Sequence, residues 1–282
     1  MKTIGKYEDV SRGTIDFPAE YYNPQEGDVN YVMKYHWHMD WELIRVNDGI
    51  LRITLNENRF VLNEGDIFII PGGILHGAEP EKCEYECIVM HDSVVFGAGV
   101  FAKNKIRENI NHPLCFKKEK DFELWSYANT FFDALKEKKD GFEIVATGAI
   151  NLLAGKIIEK KVSGITEVGG EISNKRIDKI KETLKMIENE YHRNLSLEEL
   201  SKTCGMSPRY FCEYFREMTG RTPVEYLNRY RIEIACKMLT VSGMNVTEAA
   251  LACGFNDISY FIKKFKNYVG KTPKQYAIKY HK

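Results

Sequence analysis

Cys204-Gly205-Met206-Ser207-Pro208-Arg209-Tyr210-Phe211, then Phe215 and Gly220-Arg221-Thr222-Pro223, is a stretch that the chain writes twice. Cys253-Gly254-Phe255 answers its opening, Tyr260-Phe261 and Phe265 its aromatic positions, and Gly270-Lys271-Thr272-Pro273 its end. The offset is 49 residues before the central turn and 50 after it, so the second copy has one more residue in that turn. Two copies are too few for a solenoid, which points to a duplicated small module. Each copy reads as helix, tight turn, helix, at about 197–219 and 246–269. In the first, Ser196 caps a helix with Leu197, Leu200 and Cys204 on its apolar side, and Gly205 ends it. Ser207-Pro208 restarts a helix, with proline in the first turn. Phe211 and Phe215 face inward, which leaves Ser207, Arg209, Cys212, Glu213 and Arg216 on the outside. In the second copy Phe261 and Phe265 face inward, and Ser259, Ile262, Lys263 and Lys266 face out. A polar outer face on the second helix of such a pair is the arrangement that enters a DNA major groove.

Thr222-Pro223 opens a bridging helix to about Val241, with Leu227, Tyr230, Ile234, Ala235 and Met238 as its expected buried stripe. Such a rod is about 28 Å long, against about 34 Å for one turn of DNA, so it can set two reading helices on one face of the duplex.

From Arg176 to Tyr280 the chain resembles the DNA-binding domain of AraC/XylS-type transcription regulators. The resemblance rests on Gly205-Met206-Ser207 with Tyr210-Phe211 and Phe215, and on Arg231, Ala235 and Met238-Leu239. It rests also on Ala249, Cys253-Gly254-Phe255, Tyr260-Phe261, Phe265-Lys266, Gly270 and Thr272-Pro273. Ala277 departs from it, since the family places arginine after the tyrosine, and a phosphate contact is in doubt there. The resemblance implies a dimer, an effector that is a sugar or related metabolite, and activation through RNA polymerase.

The chain has 282 residues, enough for two domains, and its 40 basic and 40 acidic residues cancel. They are not evenly spread. Residues 174–282 hold 20 basic and 12 acidic residues, a net of +8, and residues 1–173 hold 20 and 28, a net of −8. A basic half beside an acidic half fits one domain on DNA and one off it. No apolar run is long enough to cross a membrane and no signal-peptide core is present, so the expected place is the cytoplasm. Seven cysteines without a disulfide-scaffold spacing agree with a reducing compartment. Cys83 and Cys87 are read as packing residues, and Cys204 and Cys253 as small buried apolar groups.

Residues 35–90 are strand-like. Trp41–Val46, Ile50–Leu55, Arg59–Leu62, Asp66–Ile70 and Tyr85–Met90 are short apolar or alternating runs. Asn47-Asp48-Gly49, Asn56-Glu57-Asn58 and Asn63-Glu64-Gly65 punctuate them as hairpin turns. His36, His38, Glu42 and Gly49 at their spacing, then Gly65, Pro71, Gly73 and His76, resemble the two cupin motifs; Pro80 stands where the second motif closes with asparagine. On a strand His36 and His38 point to the same side, and Glu42 shares their parity, so it can face the same cavity. Three imidazoles and a carboxylate suit a divalent zinc, iron, nickel or manganese ion. The same residues also serve to line a metal-free pocket, with Trp37, Trp41 and Arg45 beside them, and that is the favoured expectation. Residues 119–160 read as two helices, with stripes Phe122, Trp125, Tyr127, Ala128, Phe131, Phe132, Leu135 and Phe142, Val145, Ala149, Leu152, Leu153, Ile157. They resemble the dimerisation helices of the arabinose-type sensor domain.

The expected fold is α+β: a cupin-like antiparallel barrel with two helices over 1–161, a linker at 162–173, and an all-α domain with two helix-turn-helix motifs over 174–282. The expected function is an effector-responsive, homodimeric DNA-binding transcription regulator, and not an enzyme. A metal-dependent cupin enzyme fused to a DNA-binding domain, and a DNA-binding protein with no effector, remain as alternatives.

Overall fold

The computed structural model describes residues 6–8, 10, 12–14, 17–24, 31–95, 105–106, 108–162, 175–240 and 244–280. The chain divides into two compact units, Met1–Asn174 and Lys175–Lys282, each taken here by itself. Of the expected linker, 163–173 lies outside the described residues.

The first unit is built on one long ribbon, β4 (Trp41–Leu55) against β7 (His76–Met90), paired from Trp41 opposite Met90 to Leu55 opposite His76. The free edge of β4 is shared by β5 (Asn58–Asn63) and β6 (Ile67–Ile70). The free edge of β7 is shared by β3 (Met33–Trp37) at its start and β2 (Ala19–Tyr22) at its end. β1 (Lys6–Tyr7) runs parallel to β3, and β8 (Leu114–Phe116) lies beside β6. The result is an eight-stranded, cupin-like sheet, antiparallel but for β1.

Two of the three expected hairpin turns are corrected. Asn47-Asp48-Gly49 is no turn: β4 runs through it and shifts register between Val46 and Ile50. Extra residues on one strand of a ladder are absorbed as a bulge, which bends the strand instead of ending it. Gly49 has φ +76°, and a Cβ there would stand 1.9 Å from the Lys82 carbonyl oxygen. Asn63-Glu64-Gly65 is a turn, but it steps along one edge of β4, from β5 to β6, and does not close a hairpin. Asn56-Glu57 does join paired strands, with Leu55 opposite Asn58 and Asn56 in the left-handed region at φ 53°.

Strand parity makes two cores. Trp41, Leu43, Ile67, Ile69, Ile88 and Met90 face α1 (Phe122–Glu137) and α2 (Phe142–Lys160) and bury Ala128, Phe131, Phe132, Ile150, Leu153 and Ile157. Ile44, Val46, Leu51, Ile53, Phe68, Ile70, Tyr85 and Cys87 make the other core. Within the predicted stripes, Phe122, Val145 and Leu152 prove exposed, and Ile144 is 80% exposed. The helices rest on the sheet through Ala128, Phe131, Phe132, Ile150, Leu153 and Ile157, which turns Phe122, Val145 and Leu152 outward.

The second unit opens with α3 (Lys175–Glu190), whose Ile177, Ile180, Leu184 and Ile187 are buried. The duplication follows as α4 (Leu197–Thr203) and α5 (Pro208–Thr219), the bridge α6 (Pro223–Thr240), then α7 (Val246–Ala252), α8 (Ile258–Val269) and α9 (Pro273–Tyr280). It extends to the caps. Ser196 and Glu199 form a capping box on α4, and Asn245 and Glu248 form the same box on α7. Thr222 with Glu225 and Thr272 with Gln275 do likewise at the starts of α6 and α9. Ser207 occupies the N-cap of α5 without a side-chain capping bond, whereas Asp257 caps α8 by accepting from the Tyr260 amide. The stripe of α6 is corrected: it buries Leu227, Asn228, Arg231, Ile232, Ala235, Cys236 and Leu239, while Tyr230, Ile234 and Met238 are half-buried. A bridge packed on both sides has no single apolar face, and helical periodicity finds only one.

Candidate functional site

Two sites are built on these units. On α5, Phe211, Tyr214, Phe215 and Met218 are buried, with Phe211 and Phe215 in edge contact at 5.5 Å. Their burial forces Arg209, Glu213 and Arg216 into solvent and leaves Cys212 half-buried; Ser207 is exposed just before the helix. On α8, Phe261 and Phe265 are buried 5.6 Å apart, and Ser259, Ile262, Lys263 and Lys266 are exposed. Among the described residues neither Glu213 nor Lys263 nor Lys266 is held in an ion pair. Tyr210, 56% exposed, and Tyr260, 41% exposed, also stand on these outer faces. The repeat singled both out as motif positions, but nothing in it said that they point outward.

The second site lies inside the first unit. Donor atoms of His36, His38, Glu42 and His76 all come within 4.8 Å of one another. The shared-parity expectation is corrected. His36 is on β3, His38 follows that strand's end, and Glu42 is on β4, so a chain reversal separates them. They converge because His36 is registered opposite His76 on β7, and because Pro71-Gly72-Gly73 lies on the reversal. Gly73 donates to the His38 carbonyl at 2.6 Å, and a Cβ on Gly72 would stand 1.9 Å from the Met39 carbonyl oxygen.

Each imidazole is oriented by a backbone carbonyl. Nδ1 of His36 donates to Lys34 O at 2.8 Å, Nδ1 of His38 to Asp40 O at 2.9 Å, and Nδ1 of His76 to Ile74 O at 2.8 Å. A carbonyl only accepts, so Nδ1 carries the proton and a neutral ring presents a bare Nε2. Nε2 of His76 is 2.9 Å and Nε2 of His38 is 3.3 Å from Glu42 Oε2. Neutral rings would set lone pair against lone pair there. Either the rings carry a second proton, or a cation stands between them. Without a cation, burial opposes the charge on Glu42, but bonds from His38 and His76 outweigh it and hold the carboxyl well below its ordinary value. Burial likewise opposes charge on His76, and Glu42 reverses this and raises it. Burial, with His76 beside it, lowers His36. The donor set therefore fits a divalent metal. The backbone carbonyls behind the rings are the outer contacts that hold metal-binding histidines in place.

Trp41 and Arg45 are corrected: they do not line this cluster. Glu42 and Ile44 point to one face of β4, and Trp41, Leu43 and Arg45 to the other, against the helices. Arg45 is buried there, donating to Glu86 at 2.5 Å and reaching Asn129 and Asp133 on α1. Trp37 is fully buried 4.7 Å from the Tyr7 ring, and its Nε1 finds no partner among the described residues. Residues near the cluster that the sequence did not flag are Glu8, 3.8 Å from His36 Nε2, and Cys87, which burial and Glu42 raise well above the ordinary thiol value. Glu8 just after β1 and Cys87 on β7 are brought there by strand pairing, and no local spacing reveals them.

Known proteins agree with this picture. Residues 200–278 match a helix-turn-helix domain family and residues 13–90 a cupin domain family. The HTH-type transcriptional regulator YdeC of Bacillus subtilis is 26% identical over 93% of this chain and 92% of its own. The Msm operon regulatory protein of Streptococcus mutans is 21% identical over 98% of both chains. The MmsAB operon regulatory protein of Pseudomonas aeruginosa is 34% identical over 30% of this chain and 28% of its own. Among the described residues no helix is long and apolar enough to cross a membrane. A cupin domain followed by a duplicated helix-turn-helix with two outward polar faces gives this chain the two domains of an AraC-type DNA-binding transcription regulator.

Proposed function

We propose that the cupin domain is a sensor, and that occupancy of the His36, His38, Glu42 and His76 cluster sets how the chain acts on transcription. The observation that supports this is the convergence of one donor atom from each of His36, His38, Glu42 and His76 within 4.8 Å, with three of the four residues buried. The occupant is a divalent zinc, iron, nickel or manganese ion held by those four residues. This departs from the metal-free preference of the sequence reading, because backbone carbonyls take the Nδ1 protons and turn the Nε2 atoms of His38 and His76 toward the Glu42 carboxylate, the arrangement in which a cation can replace the ring protons. A bound ion supplies a Lewis-acidic anchor for the oxygen atoms of a small effector, such as a sugar or related metabolite. The domain senses and does not turn over its ligand.

Ile144, Val145 and Leu152 form an exposed apolar face on α2, which supports a homodimer through that helix. Activation through RNA polymerase and a cytoplasmic location complete the proposal. The test is elemental analysis of untagged protein, together with binding of operator DNA before and after chelation. About one metal per chain, lost in His76→Ala, with a changed DNA response after chelation, is the expected result. A metal content near zero overturns the metal. Turnover of a candidate substrate by the loaded protein overturns the sensing role.

A further inference from the structure

Arg231 is the only charged residue among those buried in α6, and it is 8% exposed. A buried guanidinium normally meets a carboxylate, and among the described residues none lies within ion-pair distance of it. Its hydrogen bonds go to backbone instead. Nε donates to Tyr191 O and Nη2 to Arg193 O, both at 2.8 Å, in the segment that leads from α3 to α4. Its guanidinium carbon lies 5.5 Å above the ring of Phe255, in the turn of the second motif. The neighbouring Gly254 touches the same segment: a Cβ there, at φ +79°, would stand 2.6 Å from the His192 carbonyl oxygen. Arg193 in turn bonds Glu199 at 2.9 Å, and Glu199 completes the capping box of α4 with Ser196 in the first motif.

A continuous path thus runs from the cap of the first motif through Arg193 and Arg231 to the turn of the second. Side-chain partners can follow one another when a structure shifts. Two carbonyls on a fixed backbone and a buried ring allow a planar fork one position. Farther along α6, Asn228 donates to the Tyr260 hydroxyl at 3.2 Å and the Tyr268 hydroxyl donates to Glu225 O at 3.3 Å, so α8 is seated on the same bridge.

We propose that Arg231 is a positioning residue for DNA recognition. By tying the Tyr191–Arg193 backbone to the second motif's turn, it fixes the separation and orientation of α5 and α8. The domain then accepts two major-groove segments at one spacing only.

The test uses the full chain and a duplex selected by it from randomised DNA, in which two protected segments are mapped. One or two base pairs are then inserted between them, each turning one segment by about 36° relative to the other. The wild type is expected to lose at least about tenfold in affinity on insertion. Arg231→Lys keeps the charge but not the fork, and is expected to bind original and inserted duplexes within about threefold of each other. Gly254→Ala strains the same junction without touching Arg231, and should lose the discrimination too. Protection of a single segment, a wild type indifferent to insertion, or an Arg231→Lys protein that discriminates as the wild type does would each overturn the proposal. So would variants that lose helix content in circular dichroism instead of spacing preference, since Arg231 would then be a fold residue only.

Discussion

The two helix-turn-helix copies share their skeleton and differ in their faces. Both have a capping box on the first helix, a phenylalanine pair four apart in the second, and a left-handed glycine after it. Outward, α5 shows Arg209, Glu213, Arg216 and Glu217, whose charges cancel, while α8 shows Lys263 and Lys266 beside Ile262 and Ser259. What recurs is what folds the module, and what does not recur is what faces solvent. The contrast predicts a division of labour: α8 on phosphate, and α5, carrying a carboxylate that phosphate repels, on base edges.

The equivalence of the skeletons can be broken at its cores. Phe211→Ala and Phe261→Ala should each cost about 3–5 kcal/mol, by similar amounts, in denaturant unfolding followed by circular dichroism. A twofold difference between them would show that one copy leans on the other.

A buried charge of the first unit sharpens the same contrast between residues that fold and residues that meet a partner. Glu86 is opposed by burial, but Lys136, Arg45 and Tyr21 outweigh that and hold its carboxyl at about 2. Because the folded value lies below the ordinary 4.5, its contribution is complete above that value and is lost as pH falls toward 2. Arg45→Met strands part of this network and should destabilise the unit by about 3–5 kcal/mol. Trp37, Trp41 and Trp125 are the chain's three tryptophans and all lie in this unit, so intrinsic fluorescence isolates it. Glu86→Gln should flatten the acid limb of that fluorescence transition and leave DNA affinity alone.

Division of labour between the faces is tested next. Glu213→Gln should change preference at one base position by about 1–3 kcal/mol with little change in salt dependence. Lys266→Ala should weaken binding to every sequence and lower the salt slope by about one. Exchanged behaviour between the two variants would reverse the assignment. The smallest effect concerns the caps: Ser196→Ala and Asn245→Ala should each cost about 1 kcal/mol, and equally.

Much of this was legible in the chain. Repeat, caps and periodicity are local, and they place the DNA-binding unit and its outward residues without any tertiary knowledge. The four residues of the buried cluster were legible too, through their spacing. The reason offered for their convergence was wrong, since His38 and Glu42 stand on either side of a chain reversal. Trp41 and Arg45 were misplaced for a related reason: closeness in sequence to Glu42 says nothing about which face a strand buries.

By itself, the sequence determined the duplicated module, its polar faces, the +8 and −8 halves, and the set of three histidines and a glutamate. Each follows from residue type and short spacing. Tertiary structure alone decided that Asn47-Asp48-Gly49 is a bulge, that Ile144 and Leu152 face solvent, and that Arg231 is buried between the motifs. Those outcomes depend on which distant strand or helix comes to lie alongside. Register and burial are set by the summed packing of the whole unit, and no window of neighbouring residues contains them.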